Sequence, residues 1–335
     1  MASTVPPPPE DSSKTGSVFK MASKDGQFHR QTSSFRSFIT PSSVQDSPFP
    51  AAKDRYVLYI NRGCPWAHRA NIMRSLKHLE DLLQLVVMDC DLTPDGWGFT
   101  GRDGSEEKDP LYGYTKAKEL YLHADPNYNA RYTVPFIWDK QKETIVNNES
   151  SEIIRILEIG FDEFLPVEER ERSKGEKSLY PPHLRTEIDE LNAWVYDKIN
   201  NGVYKTGFAA TQEAYETHVI PLFEGLDRVE KHLEDPKHRP YLFGDFITEA
   251  DVRLFTTMIR FDVAYFTIFR CNLRMIREEN YYPRLHAWLR NLYWRNESFK
   301  KTTFFEEIKR GYVRAAKQNI MPMGPLPHIL PLEAR

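Results

Sequence analysis

The feature that most constrains this chain is a short apolar run followed by a turn and a cysteine–proline pair. Residues 56–60 read YVLYI, a continuous apolar run typical of a buried strand. Cys64 and Pro65 follow the turn, and four apolar residues of the next segment share one helical face: Ile72, Leu76, Leu79 and Leu83. Residues 83–92, LQLVVMDCDL, then read as a second buried strand. Strand, helix and strand in so short a span predict a right-handed βαβ unit.

The rest of the N-terminal half predicts completion of a small α/β domain. Residues 93–130 carry Gly, Pro and Asp without a clear period, and so long an irregular insertion indicates function. Residues 132–157 then predict strand, turn, strand and helix. Together the segments indicate one α/β domain over about residues 50–160.

The C-terminal half predicts helices only. Two sets of apolar residues have helical spacing, Leu184, Ile188, Leu191 and Val195 in the first and Leu254, Met258, Phe261 and Tyr265 in the second. Thr248 and Asp251 have the spacing of a capping box, which marks a helix start. We therefore divide the chain into a flexible arm (1–45), an α/β domain (46–164), a charged linker (165–182) and an all-α domain (183–330).

Composition excludes several classes of protein. The net charge of −3 over 335 residues gives no electrostatic case for nucleic acid or an anionic membrane, and no apolar run approaches the length of a membrane span. Three cysteines argue against a disulfide scaffold and for a reducing compartment, so we expect a cytoplasmic protein. The first residues do not suit a secretory signal, and acidic residues disfavour a mitochondrial transit peptide: Glu10, Asp11 and Asp25.

Cys64 lies where backbone geometry favours a reactive thiol. At a strand–helix junction, its sulfur would face the unpaired N–H groups and the positive dipole end of the helix, and Arg62 could add charge. Pro65 suits the first helical position. CPWA lacks the second cysteine of a dithiol, so a lone thiolate would need an external thiol for release. The alternative is an inert, half-buried cysteine in a turn.

Two further features suit a peptide-like ligand. Val134–Pro135 could form a cis bond that presents the Val134 backbone to an extended peptide, although composition alone favours a trans bond. Glu149 and Ser150 at a helix start could bind a ligand carboxylate, although a plain N-cap explains them equally well.

Taken together, these motifs resemble those of the Xi-class glutathione transferases, the glutathionyl-hydroquinone reductases, whose thiol chemistry is similar to that of the omega-like enzymes. The resemblance covers residues 45–330 and is carried by CPWAHR, DGWGF, TVPFIWDK, NNESSEIIR, INNGVYKTGFA, IRFDVAYFTIFRCNLR and YPRLHAWLRNLYW. It implies the glutathione transferase fold, in which a thioredoxin-like α/β N-terminal domain precedes an all-α domain. Two segments depart from the family pattern: TIFRCN at 267–272 replaces GHFKCN, and GYVRAAKQNIMP at 311–322 lacks one of two adjacent tyrosines and a Ser-His pair. Both departures bear on the shape of the hydroquinone pocket.

The resemblance also implies roles for individual residues. Cys64 would be the nucleophile, Tyr204 the proton-transfer group, and Tyr265 and Tyr312 hydroxyls that favour the thiolate. Without the resemblance, Tyr265 would be assigned to the core. The residues implied to hold glutathione are Trp97, Arg131, Tyr132, Thr133, Val134, Glu149 and Ser150.

The implied reaction is the reduction of aromatic quinol conjugates of glutathione in quinone detoxification, by a homodimer. Glutathione is the cosubstrate, with no metal and no nucleotide. His68 and His78 lie ten residues apart on the predicted helix and lack neighbouring ligands for a metal. We expect His68 to be structural, bonded to a backbone carbonyl, although it could act as a base. Two alternatives remain open: an omega-like thioltransferase or dehydroascorbate reductase, and a non-catalytic glutathione-binding scaffold.

Overall fold

The computed structural model describes residues 31–93 and 95–333. In chain order the strands are β1 (Tyr56–Asn61), β2 (Gln84–Met88), β3 (Leu92–Thr93), β4 (Gly96–Trp97), β5 (Phe136–Asp139) and β6 (Thr144–Asn147). β1 lies inside a sheet with the order β2-β1-β5-β6, parallel to β2 and antiparallel to β5, and β5 is antiparallel to β6. The predicted βαβ unit and the following strand–turn–strand are therefore confirmed.

The helices of the first domain are α1 (Pro65–Leu76), α2 (Ala117–Ala124) and α3 (Ser150–Ile159). The further helices are α4 (Glu171–Lys174), α5 (Arg185–Val195), α6 (Gly202–Gly207), α7 (Gln212–His232), α8 (Glu249–Arg260), α9 (Phe266–Ile268), α10 (Pro283–Arg295), α11 (Glu297–Lys300) and α12 (Phe305–Ala315). Short π-helical turns, Tyr196–Asn200 and Phe261–Tyr265, continue α5 and α8. A thioredoxin-like domain followed by helices is the predicted fold class.

α1 is shorter and more enclosed than its apolar spacing predicted. It packs against α3 and also against α8 of the helical domain, so nearly all its side chains are buried. Leu79 and Leu83 were expected on the same helical face, but α1 ends at Leu76 and both residues lie in the connection to β2. His78 also lies beyond the helix, which corrects the expectation that it shares a helix with His68.

The insertion at 93–130 contains a helix that the sequence period did not predict. α2 is short and buries three apolar residues, too few for a clear period: Ala117, Leu120 and Tyr121. Glu119 caps its start by accepting hydrogen bonds from the Lys116 and Thr115 N–H groups. The domain order is therefore βαβ, α2, ββα, with the small β3–β4 hairpin before α2.

The second domain begins its long buried helix where the capping box predicted. The Asp251 carboxylate accepts hydrogen bonds of 2.9 Å from both the N–H and the hydroxyl of Thr248. The apolar set Leu254 to Tyr265 is buried as expected, although its last two members lie in the π-helical turn. Within residues 31–93 and 95–333, no helix combines the length and apolar character needed to cross a membrane.

The charged linker and the described part of the arm both pack against the first domain. In the linker, the buried Lys77 ammonium needs carboxylate partners and finds Glu171 at 2.9 Å and Asp162 at 3.0 Å, which fixes the linker against the end of α1. In the arm, Ser37 donates to the Val146 carbonyl and Asn148 donates to the Phe35 carbonyl. Residues 35–37 of the arm are thus bonded to the end of β6, and residues 1–30 lie outside the described residues.

Candidate active site

Cys64 is the N-cap of α1, as the Cys-Pro pair predicted. Its backbone is extended, Pro65 opens the helix, and the first turn of α1 contains no acidic residue to offset the dipole. The Asn61 side-chain oxygen accepts hydrogen bonds from the N–H groups of Gly63 and Cys64, at 2.8 and 3.1 Å. Asn61 is buried and shapes this turn, a role that sequence reasoning missed. Cys64 is partly exposed, whereas the other two cysteines are buried.

The Val134–Pro135 segment lies directly beside the thiol. The peptide bond is cis, and the Cys64 Sγ lies 3.6 Å from the Val134 carbonyl oxygen, to which it donates. The neighbouring Thr133 carbonyl accepts a 2.8 Å hydrogen bond from the Tyr121 hydroxyl. That hydroxyl also accepts from the Asn148 side chain, which links this segment to the start of α3.

Glu149 and Ser150 occupy the start of α3, as predicted. Glu149 is the N-cap, and its carboxylate accepts hydrogen bonds from the Ser151 N–H and from the hydroxyl of Ser33 in the arm, each 3.1 Å long. The Ser150 hydroxyl is buried and has no hydrogen-bond partner among the described residues. Because buried hydroxyls are nearly always satisfied, this oxygen is suited to a ligand carboxylate at the helix start.

Trp97 and Arg131 flank the same segment. Gly96 has a φ of +90° and packs so closely on Tyr132 that an added Cβ would lie 3.4 Å from the Tyr132 Cβ, which brings the β3–β4 hairpin and Trp97 against the ligand-facing backbone. Arg131 is exposed, and its N–H donates to the Gln31 side chain at 3.1 Å. The hydrogen bonds thus connect Thr133, Val134 and the start of α3 to Cys64, and the β3–β4 hairpin that carries Trp97 packs on Tyr132.

The three candidate tyrosines meet at their hydroxyl groups, although they come from distant parts of the helical domain. The Tyr312 hydroxyl lies 2.7 Å from that of Tyr204 and 2.8 Å from that of Tyr265. Burial raises the pKa of Tyr204 to about 12, with a further increase from the charge of Cys64, and burial raises the pKa values of Tyr265 and Tyr312 as well. All three phenols are therefore neutral near neutral pH and can donate protons. Tyr312 joins the cluster despite the altered sequence that follows it.

Aromatic rings surround the tyrosine cluster on the side of the altered 267–272 segment. Phe269 from that segment packs on Tyr204 and Tyr312, with ring centroids 5.6 and 5.2 Å apart. The Trp66 ring stacks on the other side of Tyr204, at 6.2 Å. The tyrosine hydroxyls thus form one polar point among flat apolar groups, surroundings that suit an aromatic ring that bears hydroxyl groups.

Two expectations about neighbouring charges need correction. The Arg62 guanidinium, expected to add charge beside the thiol, instead pairs with Glu307 at 3.3 Å and packs over the Phe304 ring. His68 is structural as expected, but its partners are the Thr302 hydroxyl and the Arg260 guanidinium rather than a backbone carbonyl. Burial and the charge of Arg260 hold the His68 pKa well below its usual value.

Among the described residues, one group of side chains has the spacing of metal ligands: Asp89, Cys90 and Asp103. Arginines already bind both carboxylates, with Arg102 and Arg314 on Asp89 and Arg310 and Arg314 on Asp103. Burial raises the pKa of the Cys90 thiol to about 12, so this group is a salt-bridge network around a protonated cysteine.

A thiol at the start of the first helix of a thioredoxin-like sheet, with a helical domain packed on that helix, defines a cysteine-containing protein of the glutathione transferase fold. Family models described as "Glutathione S-transferase, N-terminal domain" and "Glutathione S-transferase, C-terminal domain" match residues 63–158 and 212–291. The chain therefore belongs to the glutathione transferase family, in its Xi class, and is an enzyme of that family, which confirms the resemblance drawn from the motifs.

The relatives agree with this assignment. "Glutathione S-transferase omega-like 2" of Schizosaccharomyces pombe is 48% identical over 92% of this chain and 96% of that protein. "Glutathionyl-hydroquinone reductase YqjG" of Escherichia coli is 44% identical over 90% of this chain and 88% of that protein.

Solved structures are equally similar. The Xi glutathione transferase of Phanerochaete chrysosporium has a TM-score of 0.85 at 48% identity, over 93% of this chain and 97% of that one. The Xi glutathione transferase ECM4 of Saccharomyces cerevisiae in complex with glutathione has a TM-score of 0.83 at 41% identity, over 91% and 99% of the two chains. These similarities support glutathione binding by this chain.

Proposed function

We propose that this enzyme reduces S-glutathionyl-hydroquinones to hydroquinones at the expense of glutathione. The observation that carries the proposal is the meeting of the Tyr204, Tyr265 and Tyr312 hydroxyls in an aromatic cluster that stacks on Trp66, two residues after the partly exposed Cys64. A thiol exchange between small disulfides needs a cysteine and a glutathione site, but it does not need a neutral phenol network. Breaking an aryl carbon–sulfur bond does need a proton for the ring carbon.

The geometry suggests how the substrate lies. Its glutathionyl half would occupy the surface from Trp97 and Arg131 to Ser150, with the peptide backbone along Val134. The Arg131 guanidinium and the Ser150 hydroxyl would hold carboxylates, and the Glu149 carboxylate would hold the ammonium group. The ring would lie against the aromatic cluster, with a ring hydroxyl at Tyr204.

The chemistry then takes two steps. The neutral Tyr204 phenol assists ketonisation of the ring by moving a proton to the carbon that bears sulfur, and the Cys64 thiolate attacks the glutathionyl sulfur. The carbon–sulfur bond breaks, its electron pair returns the ring to a hydroquinone, and Cys64 forms a mixed disulfide with glutathione. A second glutathione thiolate attacks that disulfide, releases oxidised glutathione and regenerates Cys64.

A single-turnover experiment tests this proposal. The enzyme is mixed with a glutathionyl-hydroquinone without free glutathione, and the products are examined by mass spectrometry. We expect one equivalent of hydroquinone and a glutathione adduct on Cys64, whereas Cys64→Ser should give neither because serine is a far weaker nucleophile at neutral pH.

Two outcomes would point elsewhere. No adduct with this substrate, together with rapid reduction of a small glutathione mixed disulfide or of dehydroascorbate, would favour an omega-like activity. Binding of glutathione without any adduct would favour a scaffold.

A further inference from the structure

A fully buried arginine stands directly behind the cysteine turn, and the reaction outlined above does not use it. Arg260 is the last residue of α8, and no part of it is exposed. Its Nε donates to the Gly63 carbonyl at 3.1 Å, and an Nη donates to the Arg62 carbonyl at 3.4 Å. The helical domain is thereby bonded to the two residues that precede the nucleophile.

The remaining hydrogen bonds of Arg260 also go to uncharged acceptors. Its second Nη donates to the Thr256 carbonyl at 2.7 Å and to the His68 Nδ1 at 3.0 Å. Within the described residues no carboxylate lies at ion-pair distance from this guanidinium, whereas the buried Lys77 has two such partners. A buried cation bonded only to neutral acceptors is costly. A buried guanidinium at this position therefore indicates that an anion forms nearby.

The titratable groups around Arg260 leave one candidate for that anion. His68 from α1 accepts from Arg260 and is neutral, because burial and that charge lower its pKa. The charge of Arg260 also reaches Tyr204, Tyr265 and Tyr312, whose pKa values burial raises far enough to keep them protonated. Cys64, which directly follows the bonded Gly63 carbonyl, is the group of this set on which the proposed reaction forms an anion.

We propose that Arg260 is a positioning residue for Cys64, which fixes the turn at 61–64 and supplies the positive charge that stabilises its thiolate. The inference deepens the proposed function, since that thiolate is both the attacking group of the first step and the leaving group of the second. It assigns to Arg260 the part that the sequence had given to Arg62. A guanidinium suits this task because it can bond two carbonyls and the imidazole at once while it stays charged.

The test is the pH dependence of Cys64 alkylation by iodoacetamide, followed on the Cys64 peptide by mass spectrometry. Arg260→Met should raise the midpoint pH by about one unit or more and so slow alkylation at neutral pH about tenfold, because the thiolate is the reacting form. Arg260→Lys keeps the charge but loses the planar set of guanidinium N–H donors. The midpoint pH of alkylation should therefore stay near that of the wild type while turnover falls. The matched control is Arg62→Met, which removes the cation closer in sequence and should leave the midpoint unchanged.

An unchanged midpoint in Arg260→Met with a native circular dichroism spectrum would overturn the proposal, and so would an equal shift in Arg62→Met. If Arg260→Met does not fold, Arg260→Gln retains part of the hydrogen bonding without charge and is judged by the same midpoint. Alkylation requires no hydroquinone, so its outcome is independent of whether the proposed reductase activity is found.

Discussion

The three cysteines differ in burial and in the groups around them, as the structure shows. Cys90 and Cys271 are buried, and burial raises the pKa of each thiol, to about 12 for Cys90. Cys64 alone among them is partly exposed, at a helix start and near a buried cation. The Cys-Pro pair was sufficient to predict the position of Cys64. The cation could not be predicted, because Arg260 lies 196 residues away and a buried arginine in a helix has no local sequence pattern.

Tyr204 is the residue at which the two enzymatic hypotheses differ. We expect Tyr204→Phe to slow hydroquinone release about 10²–10⁴-fold, because a positioned phenol supplies the ring proton. Reduction of a small glutathione mixed disulfide should change little, since its leaving group is a thiolate. Both activities should be measured side by side at saturating glutathione.

The matched control is Tyr282→Phe. Tyr282 is also buried, but its hydroxyl bonds to Asp227 and not to the tyrosine cluster. Equal loss of both activities in Tyr204→Phe would show that the tyrosine is structural. No loss of either would move the proton relay to Tyr265 or Tyr312.

At the scale of elements, the arm joins the glutathione surface rather than lying beside it. Ser33 donates to the Glu149 carboxylate, Gln31 accepts from the Arg131 N–H, and Phe35 stacks on Tyr128. Arg36 forms a bidentate pair with Glu152 in the first turn of α3, which fixes the arm near the ligand-facing residues. The described arm thus orients two residues expected to hold glutathione.

Ser33→Ala should therefore raise KM for glutathione several-fold with little change in kcat, because the hydroxyl orients the Glu149 carboxylate but does not touch the thiol. The control is Ser42→Ala, which removes a hydroxyl from the same arm that bonds to Glu163 instead. Steady-state kinetics with varied glutathione separate the two constants. An unchanged KM, or a fall in kcat alone, would contradict the assignment.

Elements with strong local signals were predicted well, and those fixed by distant contacts were not. β1 is an apolar run, α1 starts at a Cys-Pro pair, and α8 starts at a capping box. Each of these signals lies within a few residues of sequence. α2 was missed because it is short, and the arm was assigned as flexible because Ser and Pro dominate its composition while its partners lie about 110 residues away. The tyrosine cluster was found through the family motifs, since spacing alone would have left Tyr265 in the core.

At the scale of the whole molecule, buried charges join the two domains. Arg155 of α3 forms a two-point pair with Glu249 at the start of α8, at 2.8 and 3.0 Å, and also bonds Asp189 of α5. Lys77 at the end of α1 pairs with Glu171 of the linker. Because partly unpaired buried charges cost several kcal/mol, these contacts favour the arrangement in which all of them are paired.

Glu158 of α3 lies within this network and makes its stability depend on pH. Burial raises its pKa to about 8, and the charges of Glu171 and Glu249 raise it further than Lys77 and Arg155 lower it. In the unfolded chain the carboxyl ionises near its ordinary value of 4.5, while the folded protein retains the proton up to about pH 8. The free energy of unfolding should therefore fall as pH rises between these two values, because the unfolded state releases a proton that the folded state keeps.

Glu158→Gln removes this titration while it preserves the size of the side chain. Below about pH 4.5 the variant and the wild type should differ little, and by about pH 8 the variant should be more stable by on the order of a few kcal/mol. Urea unfolding at several pH values across this window measures the difference, and Glu224→Gln, an exposed glutamate on α7, serves as the control that should change the free energy of unfolding little at any pH. A stability difference that does not change with pH, or that favours the wild type as pH rises, would mean that the Glu158 carboxyl is ionised in the folded protein and has a charged partner there.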